Sequence, residues 1–450
     1  MEKRICGLEH EYGLIFSAKG HRPVSNETAL LHLFVALDTQ RPATSVFLSN
    51  GGRLYQDTGS HPEYSTPECT NARDVVIYDR AGERILEALR QRAQKMMSQQ
   101  LPGKLCIYKN NTDSVGNTYG CHENYLIDRR CDFPALADKL IPFLVTRQIF
   151  TGAGQILKSG GTPRYVISQR AQYIYQRMAS VTTNSRSIVN TRDEPHADPS
   201  RFRRLHLIVG DSNMSQVSTY LKIGTACIVL SLIESGKMRR DLSLLAPVQA
   251  IKQVSSDPEC RRPIRLYDGS TITPLEVQRI YLEAARRHYG DGCPDPVTSD
   301  VLDRWEAVLD AIERDPMSLD RQIDWVIKKR ILDSYCAKHE TTLRDPRCAL
   351  IDLQYHDISL AHGIYYLLEK QGKVETIASE REIERAVHEP PQDTRARLRS
   401  MFIKHASKTG RPFSVDWAYV RFNDRVGSSV VLKDPFNAEN ERLESLLSHL

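Results

Sequence analysis

Near the N-terminus two carboxylates stand inside an apolar run, in Ile5-Cys6-Gly7-Leu8-Glu9-His10-Glu11-Tyr12-Gly13-Leu14. The flanking residues read as a buried strand spanning 5–16. Glu9 and Glu11 are two apart, so on a strand they share one face, roughly 6.5–7 Å apart along the chain. Carboxylates taken out of water are costly unless a cation or a basic group meets them. The fold therefore has to bring a partner to this strand. Spacing alone leaves two partners open, a metal ion or an ordinary salt bridge.

A second strand, Gly52-Arg53-Leu54-Tyr55-Gln56-Asp57, carries the same theme. Alternation puts Arg53, Tyr55 and Asp57 on one face and Leu54 and Gln56 on the other. A cation, a phenol and a carboxylate in one row suit a phosphate, a metal and a proton transfer; an Arg–Asp pair on a sheet surface also satisfies the pattern. The next segment, 58–68, holds a Gly and a His-Pro step that predict a turn back alongside this strand. Glu63 would then join Glu9 and Tyr55 around a cation, and Thr66 would reach a phosphate or ribose. Carboxylates from separate strands, without a cysteine cluster, suit Mg²⁺ better than zinc. Farther on, Arg204 and His206 share a strand face opposite Leu205, Leu207 and Val209. They fit a phosphate clamp and a metal or phosphate ligand, or a surface arginine beside a satisfied histidine. The polar stretch 190–196 is a loop over a site or a solvated loop. Trp417 is core or stacks on a flat ligand.

Composition narrows the class. The 450 residues are 40% hydrophobic and 26% charged, with 61 Lys+Arg against 56 Asp+Glu. That is ordinary globular usage with ample core material. A net charge of +5 is too weak to mark nucleic-acid binding. The start of the chain lacks the apolar stretch of a targeting segment, and the apolar run at 223–233 is too short to span a membrane. The 10 cysteines include no C-x-x-C pair and read as reduced cytoplasmic thiols. There is no G-x-x-x-x-G-K-[ST], no complete G-x-G-x-x-G and no G-x-S-x-G. Any nucleotide would be held on sheet carboxylates through Mg²⁺.

Periodicity predicts a long amphipathic helix over 73–98, strands at 104–111 and 119–127 forming a hairpin, helix over 134–150 and a strand over 203–211. A buried helix covers 218–236, and Thr273-Pro274-Leu275-Glu276 is a capping box opening a helix that stops at Gly290. Helices follow at 299–314 and 318–338. Glu389-Pro390-Pro391 marks a boundary. A helix at 393–408 and a hairpin of 414–422 with 429–434 then form a small C-terminal unit. The fold class is α+β, an antiparallel sheet of short strands with helices gathered against it.

Across nearly its whole length the chain resembles the Pup–protein ligase family of the PafA type. The resemblance is carried by GLEHEYG (7–13), NGGRLYQDTGSHPEYSTPEC (50–69), YKNNTDSVGNTYGCHENYL (108–126), NTRDEPHAD (190–198), RRLHLIVGDSNMS (203–215) and PPQDTRARLR (390–399). It implies a glutamine-synthetase-like catalytic domain over 1–389, with a curved antiparallel sheet cradle covered by helices, and a small α+β domain over 390–450 that contributes to the nucleotide site. It implies that ATP phosphorylates the side-chain carboxylate of the C-terminal glutamate of Pup, an acidic disordered protein modifier. A lysine amine of a target protein then displaces phosphate, and the tag marks the target for the bacterial proteasome. Residue by residue, it implies Glu9, Tyr55 and Glu63 as Mg²⁺ positions, Arg53, Thr66 and Trp417 as ATP contacts, and Asp57 as catalytic base. Glu11, Arg204 and His206 are neighbours of metal or phosphate. The sister enzyme Dop, which deamidates Pup or removes it, is the alternative; a binding protein without catalysis is a second. Asp57 and Glu63 stand at the ligase spacing, and 17–48 leave little room for the sister's insertion, whereas 65–70 and 352–358 look sister-like.

Overall fold

In the computed structural model, which describes residues 3–18, 24–37, 44–57, 59–98, 102–113, 116–158, 161–181, 185–290, 295–424 and 428–448, short alternating strands build one eight-stranded sheet. Its members are β1 (Cys6–Glu11), β3 (Ser45–Phe47), β4 (Arg53–Asp57), β5 (His61–Ser65), β7 (Cys121–Asp128), β8 (Gln176–Ala179), β9 (Ser187–Asn190) and β10 (Phe202–Leu207). They run in the order β8-β9-β10-β7-β1-β5-β4-β3. Every pairing is antiparallel except β8 with β9. Thr58, which follows β4 in the sequence, lies outside the described residues, as do parts of 17–48.

The strand expected over 5–16 is broken at Tyr12. Its backbone N–H donates to Pro62 O at 2.9 Å, closing the β1–β5 ladder. The chain then turns away as β2 (Gly13–Ala18), which pairs with β6 (Gly103–Tyr108) in a separate sheet. The hairpin expected between 104–111 and 119–127 does not form for the same reason. β6 is committed to β2, and β7 lies between β1 and β10. Lys109, between them, is pinned instead, with its ammonium on Asp79 and Glu83 at 2.6 and 2.7 Å.

One face of the sheet packs on helices. Leu8, Cys121, Tyr125, Leu205 and Leu207 join the main core with the helices Ala72–Ser98, Phe133–Thr146 and Gln216–Glu234. The last is longer than its apolar centre suggested. By length and composition it passes for a membrane span, but 89% of that stretch is buried inside the protein, which makes it a core helix. The capping box at Thr273 and Glu276 opens the helix Pro274–Tyr289, which ends on Gly290 at φ 66°, as the spacing predicts. Helix over 318–338 begins only at Asp324, after a 3₁₀ turn. Near the C-terminus the helix Ala396–Thr409 packs on three short strands, Phe413–Asp416, Tyr419–Phe422 and Val430–Val431. These share a small core of Leu398, Phe402, Val420, Phe422 and Leu432. The hairpin turn falls at Trp417 and Ala418, inside the stretch read as a single strand.

Candidate active site

Register decides what the other face of the sheet carries. Directly opposed residues on antiparallel strands point the same way. Glu9 opposes Ser65 and His122, and Glu11 opposes Glu63. Tyr55 opposes Glu63, Arg53 opposes Ser65 and Asp57 opposes His61. On the far side His206 opposes Asn124. Alternation then sets all these side chains on one face across the consecutive strands β10, β7, β1, β5 and β4.

This face floors an open cavity of about 1570 Å³. Glu9, Glu11, Arg53, Tyr55, Asp57, Glu63, Arg204, His206 and Trp417 all line it. Thr66 lies just beyond, in a smaller hollow that shares Glu9, Arg204 and Trp417 with the large one. Its Oγ1 accepts the Leu8 N–H at 3.1 Å, so its own hydrogen remains for a ligand. The loop read either as a cover or as solvated belongs to the wall, through Arg192, Glu194 and His196.

Two groups of side chains are close enough to hold a metal ion. Glu11, Asp57 and Glu63 place carboxylate oxygens within 4.8 Å of one another, and so do ligand atoms of Glu9, His122 and His206. The expected trio of Glu9, Tyr55 and Glu63 spans the two groups: Glu63 sits with Glu11 and Asp57 and Glu9 with the two histidines, while Tyr55 hydrogen-bonds Glu63 and the Glu9 charge bears on both. An all-oxygen set suits a hard cation such as Mg²⁺. Electrostatics agree. Burial pushes the Glu63 carboxyl well up, and the charges of Glu9 and Glu11 add to the push. Such a crowd keeps its negative charge only if a cation joins it. Glu9 is different. Burial raises its pKa, but the His122 hydrogen bond and the Arg204 charge outweigh this and hold it below the usual carboxylate range. Its oxygens lie 3.0 Å from Asn124 Nδ2 and 3.3 Å from His122 Nδ1. Burial, reinforced by the charge of His122, holds His206 well below the ordinary histidine value. Neither of its buried ring nitrogens has a hydrogen-bond partner among the described residues.

Sequence reasoning missed His122, His61 and Arg170. His122 was legible, because Cys121-His122-Glu123-Asn124 on a strand puts His122 with Asn124. His61 stacks on Tyr119 with centroids 4.5 Å apart, beside Asp57. Arg170 comes from an irregular segment where no period applies.

At the rim, Trp417 is held edge-on by Phe47 at 4.9 Å, with Arg399 over its ring at 4.9 Å. Arg399 and Arg395 both bind Glu68, just after β5. This ties the C-terminal unit to the sheet.

The family model described as Pup-ligase protein matches residues 4–421. The chain belongs to the Pup-ligase family. It is 47% identical over 452 residues to the Pup–protein ligase of Actinosynnema mirum and 45% identical over 453 to that of Kineococcus radiotolerans, with full coverage of both chains in each case. Among solved structures it is similar to the ligase PafA in complex with the prokaryotic ubiquitin-like protein Pup. The TM-score is 0.94 at 37% identity, covering 100% of this chain and 92% of that one. A structure of PafA with ADP aligns with a TM-score of 0.85 at 37% identity, over 96% and 95% of the two chains. The α+β expectation accords with these relatives.

Proposed function

We propose that this chain is an ATP-dependent ligase that joins the side-chain carboxylate of the C-terminal glutamate of Pup to a lysine amine of a target protein. The observation that carries the reading is the convergence of Glu9, Glu11, Tyr55, Asp57 and Glu63 on one cavity floor, in a chain 47% identical to a Pup–protein ligase. A binding module has no use for so many gathered carboxylates.

The chemistry needs two things. A carboxylate is a poor electrophile because its leaving group would be oxide, and transfer of the ATP γ-phosphoryl group makes that oxygen leave readily. Arg53 and Arg204 flank the acid row and counter the charge of the phosphates. Glu9, Tyr55 and Glu63, with Glu11 and His206 as neighbours, would hold Mg²⁺. When bound, the ion neutralises charge on the phosphoryl oxygens. Trp417, at the rim, stacks the base, and Thr66 donates its hydroxyl to the ribose or a phosphate. The incoming lysine is an ammonium with an ordinary pKa of about 10.4. Asp57 attracts it and accepts its proton as the nitrogen attacks the acyl phosphate, which expels inorganic phosphate.

Residues 1–389 form the catalytic domain in this reading, and 390–450 a small domain supporting the nucleotide; its own small core supports that division. The enzyme works in the cytoplasm, where the described cysteines, all free, stay reduced. The test mixes purified protein, ATP, Mg²⁺, Pup ending in glutamate and a lysine-bearing target. A target heavier by one Pup, less water, is expected. In a parallel reaction with Pup ending in glutamine, conversion of that glutamine to glutamate, with no conjugation in the first reaction, would point to the sister activity and overturn the proposal.

A further inference from the structure

Six arginines are buried among the described residues. Five of them hold a carboxylate: Arg4 on Glu234, Arg80 on Glu369, Arg147 on Glu123, and Arg395 and Arg399 on Glu68. Arg170 is the exception. It is 1% exposed, and although its backbone N–H donates to Asp211 Oδ1 at 2.9 Å, its guanidinium donates only to neutral oxygens among the described residues. These are Ile208 O at 3.3 and 2.9 Å, Thr118 Oγ1 at 2.9 Å and Tyr119 O at 3.2 Å. A guanidinium has five N–H groups, so one on Nη2 is left over. Arg186 stands beside it. Its Nη2 donates to Thr118 O at 3.2 Å, and among the described residues its guanidinium has no carboxylate partner. Both arginines line the cavity wall next to Glu11.

Two guanidiniums gathered on one residue, without a carboxylate, are costly. Burial pulls Arg170 down to about 10, and the charge of Arg186 contributes while Glu11 opposes. It remains protonated at neutral pH, and although Glu11 and Asp211 bear on its charge, no carboxylate among the described residues hydrogen-bonds its guanidinium. Such a pair is built for an anion that arrives with the substrate.

The substrate supplies one. A C-terminal glutamate has two carboxylates, the γ group to be activated and the free α group of the chain end. The two carboxylates of one glutamate stand only a few ångströms apart, so with the γ group over the acid row the α group stays within the same cavity, whose wall Arg170 and Arg186 line. We infer that Arg170 and Arg186 form a subsite for the α-carboxylate of the modifier's terminal glutamate. The subsite makes the enzyme read a chain end rather than any glutamate, and it assigns the γ-carboxylate to the phosphoryl group. This rests on the reaction proposed above.

The test compares the modifier ending in glutamate with the same modifier whose α-carboxylate is amidated and whose γ-carboxylate is intact. Loss of a charge-assisted pair predicts a kcat/KM roughly 10- to 150-fold lower for the amide, mainly in KM. Arg186→Ala and Arg170→Lys should each narrow that ratio toward one, with ADP affinity as the check that the cradle is intact. If Arg170→Lys does not fold, Arg186→Ala decides. Equal use of both modifiers by the wild type overturns the subsite, and so does an unchanged ratio in the variants. Equal losses on both modifiers together with weakened ADP binding would assign the arginines to phosphate and also overturn it. Wild-type protein that conjugates neither modifier would instead sink the reading of the reaction.

Discussion

Glu68→Gln should loosen the C-terminal unit and, with it, the nucleotide. Glu68 is 8% exposed and accepts from Arg395 Nε at 2.7 Å and Arg399 Nη1 at 2.9 Å. Arg399 also donates to Gly51 O at 2.9 Å and lies over the Trp417 ring. Burial alone would raise the Glu68 carboxyl, but the two guanidiniums outweigh it and bring it from the ordinary 4.5 down to about 2. At about 1.4 kcal/mol per unit, that difference is worth about 3 kcal/mol at neutral pH. Breaking a buried pair from one side costs a similar amount, about 3–5 kcal/mol. Glutamine keeps the shape and removes the charge. The folded carboxyl titrates lower than the unfolded one, so its contribution is complete above pH 4.5 and fades as pH falls toward 2. Denaturant midpoints and ADP affinity for wild type and variant, measured from pH 7 downward, should differ most at pH 7 and converge in acid. A gap below about 0.5 kcal/mol at pH 7 would refute the argument, and so would one that does not shrink below pH 4.5.

Three further changes probe the floor of the cavity. Asp57→Ala should cut conjugation by at least about 10²–10⁴-fold while ADP still binds, read by a conjugation assay beside calorimetry; near wild-type conjugation contradicts the base role. Gly120→Ala would place a methyl 2.3 Å from His122 Nε2 and 2.8 Å from Glu11 Oε1, so ATP turnover should fall and stability should drop by about 1–3 kcal/mol, seen in thermal melts. Mg²⁺ at 100 times its Kd should stabilise the wild type by about 2.7 kcal/mol, an effect that Glu63→Gln should largely remove; chelation should stop ATP turnover.

The row on β4 was legible because Leu54 between Arg53 and Tyr55 marks a clean alternation. β1 was harder to read, since its core face, Cys6 and Leu8, ends in the polar His10. Behind Glu9 and Glu11, His10 Nε2 meets Asp79 at 3.1 Å on the helix side, and next to His122, Glu123 is locked to the buried Arg147. A strand reading Glu-His-Glu or His-Glu-Asn has no apolar stripe to say which side is core, so only the flanking residues betrayed its burial. That doubled polarity also hid His122, although the same two-residue rule places it opposite Glu9. The turn after Asp57 announced the pairing of β4 with β5, but the partners of β1 were beyond the sequence. Setting Glu63 opposite Glu11 is a matter of register, fixed where Tyr12 N–H meets Pro62 O. Moving that pairing by one residue would turn Glu63 to the helix side. The acids were visible one strand at a time, but it is the closure at Tyr12 that makes them a single site.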